Sequence, residues 1–242
     1  MEASPPRFLE SLFARDPSGA GWLPALLQAV PYGRAALGEL ADEPGWIEIS
    51  LAVPGASGQL AAFDYPATPS RGLLAWFVDH PDALTWPDGA EHSPASARLR
   101  RALLDDDPSG ARAKAQDRAH ELMQTASAFA SDWWRFEDAS ALDCVLMTDR
   151  LVLVIEADPL SPATDWYPQR TRLVRDLEAA KQLARGRAFA MLVLGGEAAP
   201  EGDQTVQLVA AGAPHLTGPE REELAAGYLG GLTWEQAREA VA

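Results

Sequence analysis

The amino-acid sequence predicts an α/β fold, a mixed central β-sheet flanked by helices. Three observations predict it. LDCVLMT (142–148) and LVLVIEA (151–157) are adjoining apolar runs of strand length. The segment LVRDLEAAKQL (173–183) follows with helical spacing and lies in a stretch rich in arginine. AFAMLVLG (188–195) then runs apolar throughout, the mark of a strand covered on both faces. A strand, crossover helix and parallel strand in this order should be right-handed.

In chain order, 242 residues with 47% hydrophobic content suffice for one sizeable core. Residues 1–70 are expected to form a helical and β-hairpin extension packed on a core domain at 71–242. FLESLFARD and WLPALLQAVPYGRAALGEL have helical spacing broken by Pro24 and Pro31, and WIEISLAV and QLAAFDYP read as strands around Pro54-Gly55 and Ser57-Gly58. RGLLAWFVD reads as a short amphipathic helix ended before Pro81, with a second turn closed by Pro87 and Gly89. SARLRRALL (96–104) is a helix that Ser93 or Ser96 could cap, and DDDPSG ends it as a loop. ARAKAQDRAHELMQTASAFASDWW reads as one long helix with Leu122, Ala126 and Phe129 near one face. Pro168 fits the first turn of the arginine-rich helix. TVQLVAA (205–211) reads as another strand, and capping boxes at Thr217…Glu220 and Thr233…Gln236 open two closing helices.

The chemistry concentrates in the hairpin. With Asp149 and Arg150 as a two-residue loop, Thr148 faces Leu151 and Asp143 faces Glu156, their Cβ atoms about 4.5–5.5 Å apart. Sliding the loop by one residue pairs Asp143 with Val154, yet both acids keep to one face. Two carboxylates in an apolar sheet are costly to bury unless a positive group sits between them. A divalent cation would serve, since magnesium needs only a few carboxylate oxygens, a backbone carbonyl and waters. The plainer alternative is a pair of solvated acids at the rim of the sheet.

Asp143, then Glu156, Leu160-Ser161-Pro162, Asp165-Trp166-Tyr167-Pro168 and Arg170 leading into LVRDLEAA together resemble a bacterial group of the PD-(D/E)XK nuclease-like superfamily. The likeness extends to LLAWFVDHPDALTWP (73–87), SARLRRALL and GLTWEQA (231–237), roughly residues 70 to 240. It implies a restriction-endonuclease-like core and a phosphodiesterase in which Asp143, Glu156 and the Ala157 carbonyl hold Mg²⁺ or Mn²⁺. The family pattern asks for Glu-x-Lys, and this chain has Glu156-Ala157-Asp158, with about three residues fewer before Pro159. The lysine that would position a water is therefore missing. An arginine would have to do its work, and Arg172, where the family helix usually carries Gln, is expected there. Lys181, nine residues on, falls on the opposite helix face. The catalytic set is thus Asp143, Glu156 and Arg172. Glu121 is a candidate further acid, whose plainer reading is a surface pair with Arg118 or Lys114. The implied function is a nuclease-like protein with weak or absent turnover; the alternative is a catalytically inactive binding or scaffolding module.

A net charge of −15 opposes non-specific adhesion to nucleic acid, which depends on Lys and Arg neutralising phosphates. One stretch runs against that total: residues 166–187 carry Arg170, Arg172, Arg175, Lys181, Arg185 and Arg187 against Asp176 and Glu178. Nucleic acid, if bound, is expected there; a solvated helix is the alternative. The single cysteine, Cys144, excludes an internal disulfide framework and fits a reducing cytoplasm. His80 and His92 lack metal-ligand spacing, and neither a signal-peptide pattern nor a membrane-length apolar run is present.

Overall fold

The computed structural model describes residues 5–19, 21–32, 61–87, 94–105, 110–129, 132–147, 150–195 and 199–242. Among these, helices α1 (Pro5–Arg15) and α2 (Leu23–Ala29) precede strand β1 (Ala61–Ala67). Helices α3 (Arg71–Asp79), α4 (Pro94–Leu104) and α5 (Ala111–Thr125) follow, then β2 (Ser140–Met147) and β3 (Leu151–Glu156). The chain continues through α6 (Arg172–Ala184), β4 (Ala188–Leu194), α7 (Gly202–Gly212), α8 (Gly218–Ala226), β5 (Tyr228–Leu232) and α9 (Trp234–Ala240).

The five strands form one sheet in sequence order, antiparallel from β1 to β3 and parallel from β3 to β5. This is the mixed central sheet expected from the sequence. The β2/β3 register pairs Cys144 with Ile155 and Met147 with Val152, so continuing it sets Asp143 opposite Glu156. The turn at 148–149 lies outside the described residues. β3 is buried at all six positions, as a strand covered on both faces must be.

Alternation along β2 and β3 sorts their side chains between two apolar layers. Cys144, Leu146, Leu151, Leu153 and Ile155 pack with α1, α2 and Ala237 of α9. Val145, Met147, Val152 and Val154 pack with α6, α7 and α8. The odd positions of β2 and the even positions of β3 therefore point toward α6, and Asp143 and Glu156 belong to that set. A third, aromatic cluster joins α3, α4 and α5 to Trp133, Trp134, Phe136, Trp166 and Tyr167. The expected division at residue 70 falls just after β1, which is hydrogen-bonded into the sheet; the strand WIEISLAV lies outside the described residues.

Several local expectations differ from the structure. TVQLVAA is not a strand but most of α7: Glu201 and Gln204 form a capping box, and Thr205, Val209 and Gly212 bury one helical stripe. The fifth strand is instead YLGGL, whose two glycines hide it from a β-propensity reading. α5 stops at Thr125, its buried stripe is Ala115, Ala119 and Met123, and Phe129 is 61% exposed beyond its end. Ser96 lies inside α4, past the N-cap position; Ser93 is outside the described residues. Pro168 sits in a turn four residues ahead of α6 rather than in its first turn. The capping boxes at Thr217 and Thr233 are both formed.

Candidate functional site

The start of α6 positions the site. Its N-cap, Thr171, makes no side-chain cap. The orphan N–H groups of Arg172 and Leu173 donate instead to the carbonyls of Ser161 (2.9 Å) and Pro159 (2.8 Å). The 159–171 loop is thereby folded back on the helix, with Pro162 bridging Thr171. Arg172 occupies the first helical position, directly over the ends of β2 and β3.

There its guanidinium lies between the two acids. Nη2 donates to Glu156 Oε1 at 2.6 Å and to Asp143 Oδ1 at 3.4 Å. The Ala157 N–H adds two more bonds, to Glu156 Oε1 at 3.0 Å and Asp143 Oδ2 at 3.3 Å. Glu156 is fully buried, whereas Asp143 and Arg172 retain partial access to solvent. Asp176, one turn beyond Arg172 and fully buried, lies against Glu156 and is held by Arg175 at 2.5 Å.

Burial, then the neighbouring Asp143 and Asp176 carboxylates, push Glu156 up to about 9. Its Oε1 accepts from Arg172 and from the Ala157 N–H. Burial lowers the Arg172 guanidinium, but Glu156, Asp143 and Asp176 outweigh it and hold the group above its ordinary value.

The divalent ion that the family resemblance implies does not fit these residues while Arg172 is seated. The cation between the acids is already a guanidinium bonded to both, and the Ala157 N–H takes up further lone pairs of the same two carboxylates. Among the described residues no three His, Cys, Asp or Glu side chains form a metal-holding group.

The other expected residues disperse. Asp158 is exposed and lies past the end of β3, which stops at Glu156. Glu121 pairs with Arg118 at 2.8 Å on the surface. Lys181 pairs with Glu223 at 2.7 Å, and Arg187 donates to the carbonyls of Leu183 and Ala184 at the end of α6. Arg170 is fully buried in a second ionic network. It meets Glu137 at 2.9 Å and Glu178 at 2.8 Å, and His215 approaches Glu178 at 3.1 Å and Ser70 at 3.3 Å. Burial raises Glu178, but Arg170, His215 and Ser70 outweigh it and bring its carboxyl down to about 2. His80 stacks on Trp76 with 4.6 Å between ring centroids, a structural role.

Sequence reasoning missed Asp176, Glu137 and Glu178. For Asp176 a signal existed, since it follows Arg172 by four residues and so shares its helix face. Glu137 is brought to Arg170 from a loop 33 residues away, which no local pattern encodes. Among the described residues no helix is long and apolar enough to cross a membrane. No family model, no curated protein and no solved structure matches this chain.

Proposed function

We propose that this chain is a nuclease-like protein whose phosphodiesterase turnover is weak or absent. One observation carries the reading: the Arg172 guanidinium lies between Asp143 and Glu156, bonded to both. Two acids facing each other at the end of a hairpin, followed by a helix and a parallel strand, support the nuclease-like part. The arginine supports the loss of turnover. A guanidinium clamps anions but stays charged throughout the working pH range, so it neither donates nor accepts the proton that water activation requires. No lysine compensates, because Lys181 is committed to Glu223 and position 158 holds an acid.

The alternative, a binding or scaffolding module without any turnover, is favoured by the fate of the basic stretch. Arg170, Arg172, Arg175, Lys181 and Arg187 are spent on carboxylates and helix carbonyls within the fold. Plasmid nicking with Mn²⁺ separates the readings. Slow nicking by the native protein, abolished in Asp143→Ala and raised in Asp158→Lys, supports a degraded nuclease. Inactivity of all three supports the module, and robust native cleavage lost in Asp143→Ala overturns the weak-turnover reading.

A further inference from the structure

Helices α1 and α9 pack on the sheet face opposite α6, and a cavity of about 350 Å³ lies between α1 and the end of α9. Phe8, Leu12 and Val241 give it apolar walls, and Arg15 and Arg238 line it with charge. Residues 8, 12 and 15 share one face of α1, which brings two of the walls and one guanidinium to the same opening. Leu12 is buried, whereas Phe8 and Val241 are only partly covered and keep apolar carbon in contact with water. The Ser11 hydroxyl is turned back onto its own helix and donates to the Phe8 carbonyl at 2.6 Å. Arg15 donates to the Val241 carbonyl at 3.3 Å, which holds it across the cavity and uses one of the five N–H donors of its guanidinium. Among the described residues neither Arg15 nor Arg238 pairs with a carboxylate, whereas Arg112, Arg118, Arg170, Arg172 and Arg175 all do. In a chain with 35 acidic residues against 20 lysines and arginines, two arginines on one apolar cavity without an acid lack the partner that most others have.

We propose that this cavity binds a medium-chain aliphatic monocarboxylate, its carboxylate held by Arg15 and Arg238 and its alkyl chain laid against Phe8, Leu12 and Val241. The two kinds of lining match the two halves of such a molecule. A carboxylate accepts charge-assisted bonds from both guanidiniums, and each methylene that leaves water for the apolar walls adds to affinity. The volume stands at the small end of the range for small-molecule sites, about 300–1,000 Å³, which favours one short chain over a branched or long lipid. The position of the arginines favours a single negative charge over a phosphate. Both stand in the last turns of their helices, where backbone carbonyls carry partial negative charge, whereas phosphates are seated at helix N-termini. The site lies on the opposite face of the sheet from Asp143 and Glu156 and is independent of the nuclease-like reading.

The test is calorimetric titration of the full chain with sodium octanoate at neutral pH and low ionic strength. The native protein is expected to take up one octanoate per chain. Butyrate, which keeps the head and loses half the chain, should bind at least about tenfold more weakly. Octylamine, the same chain length with the opposite charge, should not bind. Arg15→Gln and Arg238→Gln should each weaken octanoate at least about threefold, and Val241→Asp, which sets a like charge in the apolar wall, should abolish binding. Arg238 makes no hydrogen bond among the described residues, so Arg238→Gln has none to lose and its ligand-free Tm should match the native one. Absence of saturable octanoate binding overturns the proposal. So does octylamine binding as tightly as octanoate, or octanoate affinity that neither arginine variant changes. Tighter binding of octyl phosphate than of octanoate overturns the assignment of a carboxylate head.

Discussion

At the scale of single residues, Glu156 sets an unusual pH dependence. Its folded value of about 9 stands above the ordinary 4.5. A carboxyl raised on folding contributes stability that is fully present below its unfolded value and is lost as pH rises toward the folded one. Stability should therefore decline between about pH 5 and pH 9, by an amount on the order of a few kcal/mol, opposite to the usual carboxylate trend. Urea midpoints across that range should show the decline in the native protein and a flatter profile in Glu156→Gln. Glu178 works the other way: its value near 2 gives stability present above about pH 4.5 and lost only in strong acid. Arg170 holds Glu178 and Glu137 together with all three side chains buried. Arg170→Met should cost about 3–5 kcal/mol in denaturant unfolding, because it leaves two buried carboxylates without their cation. That the two acids share one face of the hairpin could be read from its period of two alone. That Glu156 is fully buried and that Asp176 stands behind it could not, because both depend on α6 lying across the strand ends.

At the scale of elements, α6 and α7 form the cover that decides the site. α7 crosses the start of α6 with Gly212 so close that a Cβ there would meet the Gln169 carbonyl at 2.8 Å and Val174 Cγ2 at 3.1 Å. Gly212→Ala should cost about 1–3 kcal/mol by overpacking, read as a lowered urea midpoint. It should also disturb Arg170, whose Nη1 donates to the Gly212 carbonyl at 3.3 Å. The Thr233–Gln236 capping box opens α9, and Thr233→Ala should cost about 1 kcal/mol. Capping chemistry was readable in the sequence because its partners lie three residues apart. The identity of 205–211 was not: VQLVAA carries as much β-propensity as helical spacing, and the Glu201 cap together with burial against α6 settles it as a helix.

At the scale of the whole molecule, the charge of −15 and the pairing of Arg172, Arg175 and Lys181 with carboxylates act together. A fluorescent DNA duplex of about 30 base pairs should show no anisotropy change with the protein at about 0.15 M salt. A saturable change that weakens steeply with added salt would instead show that a local basic surface overrides the net charge.

The α/β class, the pairing of β2 with β3 with both acids on one face, and the β3–α6–β4 succession were legible in the sequence. Each follows from a periodicity or a spacing within about forty residues. The sequence named Arg172 as the cation for Asp143 and Glu156, and only the packing of α6 shows how it reaches them. Helical spacing put Arg172 and Lys181 on opposite sides of α6, but did not say which side meets the sheet. The 159–171 loop anchors the first turn of α6 over the strand ends, so the charge that the acids require arrives as Arg172. Only the tertiary structure, too, joined Arg170 to Glu137 and Ser70 to His215, 145 residues apart. Burial makes unpaired charges costly, and the partners that relieve that cost are chosen by proximity in space, which sequence separation does not record.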